Sequence, residues 1–324
     1  MFGEKITQIS VVSIPMLTKF RGLTHREALV FRGTKRWAEF SPFIEYSDQE
    51  ASNWLAAALS FANQDLPQLH RTSIGVNATL PAVSPEEVDG VLSNFGDFST
   101  VKIKVAERGQ PLLDDVLRVL KVAESYPNCK IRLDANGNLT PEQALELLAQ
   151  IPLDRLDYFE QPCASLAELV ELRKTLKHLG LDVLIAADES IRKASDPLEV
   201  ARLGAADIVM LKVQPLGGIE RSLEIAKQAG LPAVVSSALE TSIGLAQGAY
   251  LAAALPELDY DCGLGTLSLM ESDITANPLR PVAGRITPVE VEPDAALLEK
   301  YQASPERTVW WLARLGRCYD LLES

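Results

Sequence analysis

Five apolar runs in this chain each end in an ionisable residue, and these charges follow one another at intervals of 24 to 30 residues. They are Lys104 in VKIKVA, Asp134 in IRLDAN, Glu160 in DYFEQP, Asp188 in VLIAADES and Lys212 in DIVMLKV. One strand, one helix and two short connections take up about that length. Each charge therefore stands where a buried parallel strand would end. Since eightfold α/β barrels build their active sites on that face, we expect these side chains to meet at one barrel mouth.

Residues 73–268 alternate between strand-like and helix-like segments, which predicts a modified (β/α)8-type barrel. The eight candidate strands are SIGVNATL, STVKIKVA, CKIRLDA, LDYFEQ, VLIAADE, DIVMLKV, AVVSSAL and, with a weaker pattern, YDCGLGT. Capping-box patterns predict three helix starts, at Ser84–Glu87, Thr140–Gln143 and Ser165–Glu168. A helix near 111–126 is expected to pack on the sheet through Leu113, Val116, Leu117 and Leu120.

The two ends of the chain have a different pattern. Residues 1–72 alternate short strand-like pieces with one helix near 49–63, which predicts an α+β module. After residue 268 four prolines interrupt a loop-rich stretch, and a last helix is expected over 305–322. We therefore predict an α+β capping domain built from residues 1–72 and completed by the tail 269–324.

The composition and charge of the chain exclude several classes of binding partner. The formal net charge of -13 would repel nucleic acids and anionic membranes but would attract a divalent cation. No apolar stretch approaches the roughly 20 residues that cross a bilayer, and the N-terminus has no signal-peptide core. The four cysteines are far apart, so we expect reduced thiols in a cytoplasmic protein, with Cys163 serving only in packing. No stable protein partner is implied.

Asp134, Glu160 and Asp188 are the strongest constellation in the sequence. Three carboxylates at one barrel mouth would repel one another unless a cation held them. Mg²⁺ prefers oxygen ligands and keeps positions open for water or substrate. Any one of these acids alone could instead cap a helix or pair with an arginine. Three of them at consecutive strand ends favour a metal site.

Two lysine signals accompany the acids. In a strand, Lys102 and Lys104 point the same way, and two crowded ammonium groups lower each other's pKa, which favours a free-amine base. Lys212 ends an otherwise apolar run and suits a second acid/base group or a cation facing the reacting group. The alternatives are an exposed K-x-K face and a lysine that reaches solvent along its stem.

Weaker candidates lie beside these residues. Asn136 either hydrogen-bonds a ligand or shapes the NGN turn. Ser236 and Ser237, at the seventh strand end and followed by Gly244, either hold an anion or cap the next helix.

Taken together, the K-x-K, D-x-N, E-Q-P, D-E-S and terminal-lysine motifs resemble the enolase superfamily, in its muconate-lactonizing subgroup. The resemblance covers nearly the whole chain, and FRGLTHREALVFRG, WAEFSPF and GLGTLSLM are most similar to the subgroup's menaquinone-pathway dehydratases. It implies Mg²⁺, with Mn²⁺ tolerated, and a small-molecule carboxylate substrate. Lys104 would take the α-proton to give a metal-stabilised enediolate, and Lys102 would keep the pKa of Lys104 low. Lys212 would act as a cation, and Arg21, in the loop over the site, would contact a substrate carboxylate or form a basic surface turn.

Other activities of the same subgroup are the main alternatives. An N-acylamino-acid racemase needs both Lys104 and Lys212 as acid and base, and the chain has both. A dipeptide epimerase carries D-x-D after the eighth strand, but Asp259 and Asp261 lie too early and Gly265 occupies the corresponding position. A cycloisomerase is less favoured. A non-catalytic barrel would lack one of these groups, and none is missing.

Overall fold

The computed structural model describes residues 3–20, 22–194 and 196–323. Its N-terminal part is an antiparallel sheet of β1 (Thr7–Phe20), β2 (Leu23–Arg32) and β3 (Trp37–Phe40), in that order. Helix α1 (Asp48–Asn63) packs on this sheet and starts with a capping box between Ser47 and Glu50. This module matches the predicted α+β architecture.

The centre of the molecule is a parallel sheet of seven strands in sequence order. The strands are β5 (Ala78–Leu80), β6 (Thr100–Lys104), β7 (Lys130–Asp134), β8 (Leu156–Glu160), β9 (Ile185–Ala187), β10 (Ile208–Leu211) and β11 (Ala233–Val235). Residues 262 and 263 close the curled sheet, because Cys262 forms a parallel bridge with Val76 and Gly263 forms one with Ser236. The barrel prediction is confirmed, and the weak eighth strand consists of these bridges.

Helices surround the barrel. They are α2 (Val88–Leu92), α3 (Leu112–Ser125), α4 (Pro141–Leu148), α5 (Leu166–His178), α6 (Glu189–Arg192), α7 (Glu199–Leu203), α8 (Ile219–Ala229) and α9 (Ser242–Ala254). Complete capping boxes at Thr140 and Ser165 begin α4 and α5 as predicted. At Ser84 the backbone amide donates to the Glu87 carboxylate at 3.0 Å, and a short 3-10 turn precedes α2. No helix in the described part of the chain is long and apolar enough to span a bilayer.

The packing face predicted for the helix near 111–126 was wrong. Leu113, Leu117 and Leu120 are 59%, 44% and 42% exposed, and only Val116 of the four predicted residues is buried. The buried face includes an Asp115–Arg118 ion pair, and this arginine also donates to backbone carbonyls of the barrel, at Val83 and Lys104. Val119 and Val122 are buried beside Val116, so the apolar face of the helix is formed by valines and not by the three leucines.

The C-terminal residues return to the N-terminal sheet. Helix α10 (Ala295–Lys300) packs on β1, and helix α11 (Pro305–Glu323) packs on α1 and β1. Trp311 is fully buried, meets Phe40 edge-on at 5.9 Å between ring centroids and donates to Glu27 at 2.8 Å. Another part of the tail, β12 (Arg285–Ile286), pairs with β4 (Ile74–Gly75) at the start of the barrel. The exact domain boundaries at 72 and 268 stay predictions.

Replacing Trp311 tests whether the tail stabilises the capping domain. We expect Trp311→Ala to lower the free energy of unfolding by about 3–5 kcal/mol, since it removes a large buried side chain. Val309 on the same helix is 67% exposed, so Val309→Ala is the matched control and should change stability by about 0.5 kcal/mol or less. Denaturant unfolding measures both. Equal, small effects would mean that α11 contributes little to the fold.

Candidate active site

The predicted strand-end charges lie side by side at the carboxyl end of the barrel. Lys104, Asp134 and Glu160 are register partners on β6, β7 and β8. Asp188 directly follows β9, and Lys212 directly follows β10. The two lysine-bearing strands therefore flank the three strands that carry the acids.

The two lysines of the K-x-K motif both face these acids. The Lys102 ammonium lies 3.0 Å from a Glu160 oxygen and 3.5 Å from an Asp134 oxygen. The Lys104 ammonium lies 2.5 Å from the same Asp134 oxygen and donates to Asn136 at 2.7 Å. Because Asp134 and Glu160 are fully buried, these ion pairs neutralise charge that water cannot solvate.

Lys212 forms an ion pair with Asp188, which is also fully buried. Arg192 approaches the other oxygen of Asp188 at 3.1 Å, so two cations share this carboxylate. Burial opposes ionisation, but the attraction of Lys212 and Arg192 outweighs it and holds the pKa of Asp188 well below its usual value.

The electrostatics distinguish the two lysines of the K-x-K motif. Burial lowers the pKa of Lys104, the nearby Asp134 opposes this, and the Lys102 cation adds to the lowering. Burial also disfavours charge on Lys102, but attraction to Glu160 and Asp134 is larger and raises the pKa of Lys102. The expected direction for Lys104 holds, with burial as the larger cause. Lys104 is thus the lysine better suited to lose its proton.

The acids do not form a ready-made metal cage. Within residues 3–20, 22–194 and 196–323, no three acidic, histidine or cysteine side chains are grouped so that they could hold a metal ion. In the structure a lysine pairs with each carboxylate and relieves the repulsion between the acids, and the metal site stays a prediction.

The chemistry of the three carboxylates nevertheless fits a divalent cation. One oxygen of Glu160 is buried and has no hydrogen-bond partner among the described residues. Burial and repulsion by Asp134 raise the pKa of Glu160 despite its contact with Lys102. A buried carboxylate oxygen that lacks a donor and lies beside a second acid is what a hard cation would stabilise. Asp134, Glu160 and Asp188 are thus the residues that could hold a metal.

Lys102, Lys104, Asp134 and Lys212 line a small cavity of about 40 Å³ between the barrel and the capping domain, whereas Glu160 and Asp188 are not among its lining residues. Its barrel side includes Lys102, Lys104, Asp134, Asn136, Lys212, Ser236, Ser237 and Gly263. Its capping side is aromatic and includes Phe20, Phe43, Tyr46 and Trp54. A charged wall that faces an aromatic wall suits a small ligand with polar and apolar parts.

The structure bears on the two alternatives given for Asn136 and on those given for Ser236 and Ser237. Asn136 has a positive φ of 48°, typical of a turn, yet its side chain also bonds Lys104 and Glu189. Ser236 and Ser237 line the cavity, whereas Thr241 is the residue that caps α9. The helix-capping alternative for the two serines was therefore wrong.

Two further candidates have different outcomes. Gly265 is not among the cavity-lining residues, because it packs against Asn77, whose carbonyl oxygen would lie 2.9 Å from an added Cβ. Gly263 lines the cavity instead. Arg21 lies outside the described residues, so its contact with substrate stays a prediction; Cys163 is fully buried, in agreement with a packing role.

Sequence reasoning missed Arg192 and the aromatic residues of the capping domain. Arg192 lines the cavity, pairs with Asp188 and Glu189, and donates to the Tyr46 hydroxyl at 3.0 Å. Its i,i+4 spacing from Asp188 was a usable signal. Tyr46 and Phe43 reach the cavity only through contacts between distant segments, which no local pattern indicates.

Comparisons with known proteins agree with this architecture. Residues 86–293 match the family described as enolase C-terminal domain-like, and residues 11–62 match enolase N-terminal domain-like. The o-succinylbenzoate synthase of Mycobacterium tuberculosis (strain ATCC 25618 / H37Rv) is 47% identical over 318 residues, covering 98% of this chain and 95% of that protein. The o-succinylbenzoate synthase of Mycobacterium ulcerans (strain Agy99) is 46% identical over 320 residues, with the same coverage.

Solved structures share the fold at low sequence identity. The muconate lactonizing enzyme of Pseudomonas fluorescens, complexed with muconolactone, superposes with a TM-score of 0.77 at 19% identity, covering 92% of this chain and 99% of that one. The N-succinyl Arg/Lys racemase of Bacillus cereus ATCC 14579 superposes with a TM-score of 0.76 at 18% identity, covering 92% and 98%. At these identities the likeness concerns the fold alone.

Proposed function

This chain belongs to the enolase superfamily, and on that premise we propose that it is an o-succinylbenzoate synthase, a lyase that removes water from a cyclic hydroxy acid. The substrate is 2-succinyl-6-hydroxy-2,4-cyclohexadiene-1-carboxylate, and the products are 2-succinylbenzoate, a precursor in menaquinone biosynthesis, and water. Close identity along almost the whole length of the mycobacterial synthases supports this reaction. The structural observation that carries it is that Lys104 and Lys212 line one cavity on the strands flanking three buried carboxylates.

Lys104 is the proposed base. Its neutral amine takes the proton from the carbon next to the substrate carboxylate, and the electron pair of that C–H bond forms a ring double bond as the C–O bond to the neighbouring hydroxyl breaks. The resulting Lys104 ammonium returns the proton to the departing hydroxyl, which leaves as water. The lowered pKa of Lys104 supports this role, because a base must be free of its proton before it reacts.

Lys102 and Lys212 have supporting roles in this proposal. Lys102 stays charged between Glu160 and Asp134, and its cation favours the neutral form of Lys104. Lys212, across the cavity, stabilises negative charge that develops on the substrate as the proton leaves. The side chains of Lys102 and Lys212 are only 7% and 12% exposed, and their low solvation strengthens both interactions.

Enzymes of this superfamily generally depend on a divalent metal, and we propose Mg²⁺, with Mn²⁺ as a substitute. Asp134, Glu160 and Asp188 would hold it. When bound, the ion would supply positive charge next to the substrate carboxylate and make the neighbouring proton more acidic. Cytoplasmic location, and the absence of nucleic-acid, membrane and stable protein partners, stay predictions.

Metal binding can be tested without turnover. We expect Mg²⁺ to raise the melting temperature, because a ligand at 100 times its Kd stabilises the native state by about 2.7 kcal/mol. Glu160→Gln should remove most of this response. Asp65→Asn is the control, since Asp65 pairs with Lys35 on the surface and its loss should leave the response intact. A melting temperature that neither Mg²⁺ nor Mn²⁺ changes would refute the metal site.

The activity is tested by incubating the purified protein and Mg²⁺ with the cyclohexadiene substrate and following 2-succinylbenzoate by absorbance. Dehydration that stops on addition of EDTA and resumes with excess Mg²⁺ is the expected result. Racemisation of N-succinyl amino acids is the second candidate, because Lys104 and Lys212 also suit proton transfer on two sides of one carbon. Racemisation without dehydration would replace the proposed function.

A further inference from the structure

We propose that Arg26 and Glu39, two buried side chains of the capping sheet, are positioning residues that hold the cavity wall formed by residues 236–241. We call this arrangement the cap–loop clamp. This inference rests on the proposed function. It assigns part of the substrate affinity to residues that do not contact the substrate.

The wall that the clamp holds includes a residue in an unfavourable backbone conformation. Ser236, Ser237, Ala238 and Leu239 all line the cavity. Leu239 has a φ of 64°, a left-handed conformation that costs a non-glycine residue about 1 kcal/mol or more unless the surroundings enforce it. Within the segment, the Ala238 amide donates to the Glu240 carboxylate at 2.7 Å, and the remaining support comes from the capping sheet.

Arg26 supplies the first half of that support. It is 3% exposed and donates from Nε to the Leu239 carbonyl at 2.8 Å and from Nη2 to the Ala238 carbonyl at 3.3 Å. The same guanidinium donates to the Ser41 carbonyl within the capping domain. It thus connects β2 and the end of β3 with the two residues at which the wall turns.

Glu39 supplies the second half. One of its oxygens accepts from the backbone amides of Thr241 at 3.0 Å and Gly244 at 3.2 Å, and from the Thr241 hydroxyl at 2.5 Å. Its other oxygen accepts from the Ser41 hydroxyl at 2.6 Å. Because Thr241 caps α9, Glu39 fixes the point where the wall becomes helix.

The clamp also reaches the opposite wall. The Arg26 guanidinium lies 4.7 Å from the centroid of the Phe43 ring, and Phe43 lines the capping side of the cavity. One buried cation therefore contacts both Leu239 and Phe43. Arg26 and Glu39 do not themselves line the cavity, so their effect on substrate is exerted through these walls.

Loosening the clamp should affect substrate binding more than chemistry. The reacting groups stand on β6 to β10, whereas the clamp holds the segment after β11. We expect Arg26→Met to raise KM about 10-fold or more and to change kcat by less than about 3-fold. The reason is that the variant should bind the substrate and the transition state more weakly by about the same amount.

Arg36→Met is the matched control for Arg26→Met. Arg36 is also a buried arginine of the capping domain: it donates to the Phe61 and Gln64 carbonyls and lies 5.2 Å from the Phe61 ring centroid, but it is not a cavity-lining residue. Its loss should lower stability while leaving KM unchanged.

Glu39→Ala and Glu39→Gln test the second half of the clamp. Burial raises the pKa of Glu39 to about 7, which lowers the cost of an uncharged side chain at this position. Glutamine keeps an acceptor for the Thr241 and Gly244 amides. We therefore expect Glu39→Ala to raise KM as Arg26→Met does and Glu39→Gln to restore it to within about 3-fold of the wild-type value.

The full-length variants are to be compared by steady-state kinetics with the cyclohexadiene substrate and by amide hydrogen exchange across residues 236–244. Support requires a raised KM and faster exchange of this segment in Arg26→Met and Glu39→Ala, but not in Arg36→Met. An unchanged KM in an active, folded Arg26→Met, or exchange like that of the wild type, overturns the clamp. If the wild type does not dehydrate the substrate, the proposed function fails, and the exchange result alone decides whether the clamp holds the wall. If Arg26→Met does not fold, the Glu39 pair gives the same decision.

Discussion

Lys104→Ala is expected to lower kcat for dehydration by about 10³- to 10⁴-fold, because it removes the base that takes the α-proton. The structure supports so large an effect, since Lys102 cannot easily substitute for it. Burial favours the neutral form of Lys104, whereas Glu160 and Asp134 hold Lys102 in its charged form. Single-turnover measurement in saturating Mg²⁺ separates this loss from any loss of binding.

Lys130→Ala is the matched control for this experiment. Lys130 starts β7 at the opposite end of the same sheet, is exposed and lies 3.3 Å from Asp157. Its removal should leave kcat within about 2-fold of the wild-type value. A folded Lys104→Ala protein that keeps a tenth of the normal rate would remove Lys104 from the mechanism.

Substitution of Lys212 has the second largest expected effect and distinguishes a stabilising cation from an acid/base. Lys212→Ala should lower the rate of dehydration by about 10²- to 10³-fold, because positive charge facing the reacting group is lost. Lys212→Arg keeps that charge but cannot exchange a proton near neutral pH. It should therefore retain dehydration to within about 10-fold while abolishing any racemisation of N-succinyl amino acids.

Both reactions can be followed with the same protein samples, by absorbance for dehydration and by optical rotation for racemisation. Equal loss of the two in Lys212→Arg would show that Lys212 transfers a proton in dehydration as well. Melting temperatures with and without Mg²⁺ verify that each variant keeps its fold.

The position of the site could be predicted from the sequence because it follows from a local rule. Each of Lys104, Asp134 and Glu160 ends a buried strand, and parallel strands place their carboxyl ends at one edge. The ion pairs at that edge could not be predicted, since a strand pattern gives the direction of a side chain but not its partner. The three acids were expected to hold a metal ion, which stays a prediction, whereas their pairing with lysines is seen only in the structure.

Contacts between distant segments could not be predicted either, because a local pattern does not identify a side chain's partner. Arg26 and Leu239 are separated by 213 positions, and nothing local indicates that one supports the other. On α3, the leucines that suggested a packing face are exposed, whereas three valines and the Asp115–Arg118 pair form the buried face. The barrel closure at Cys262 and Gly263 gave only a weak pattern, since two bridges replace a regular strand.

A crystal structure with Mg²⁺ and 2-succinylbenzoate bound would test whether the three carboxylates and the two lysines act together at one barrel mouth. We expect oxygens of Asp134, Glu160 and Asp188 to approach the ion at about 2.1 Å, and the amines of Lys104 and Lys212 to face the bound ring from opposite sides. An ion held by other residues, or a product ring that neither amine faces, would contradict it.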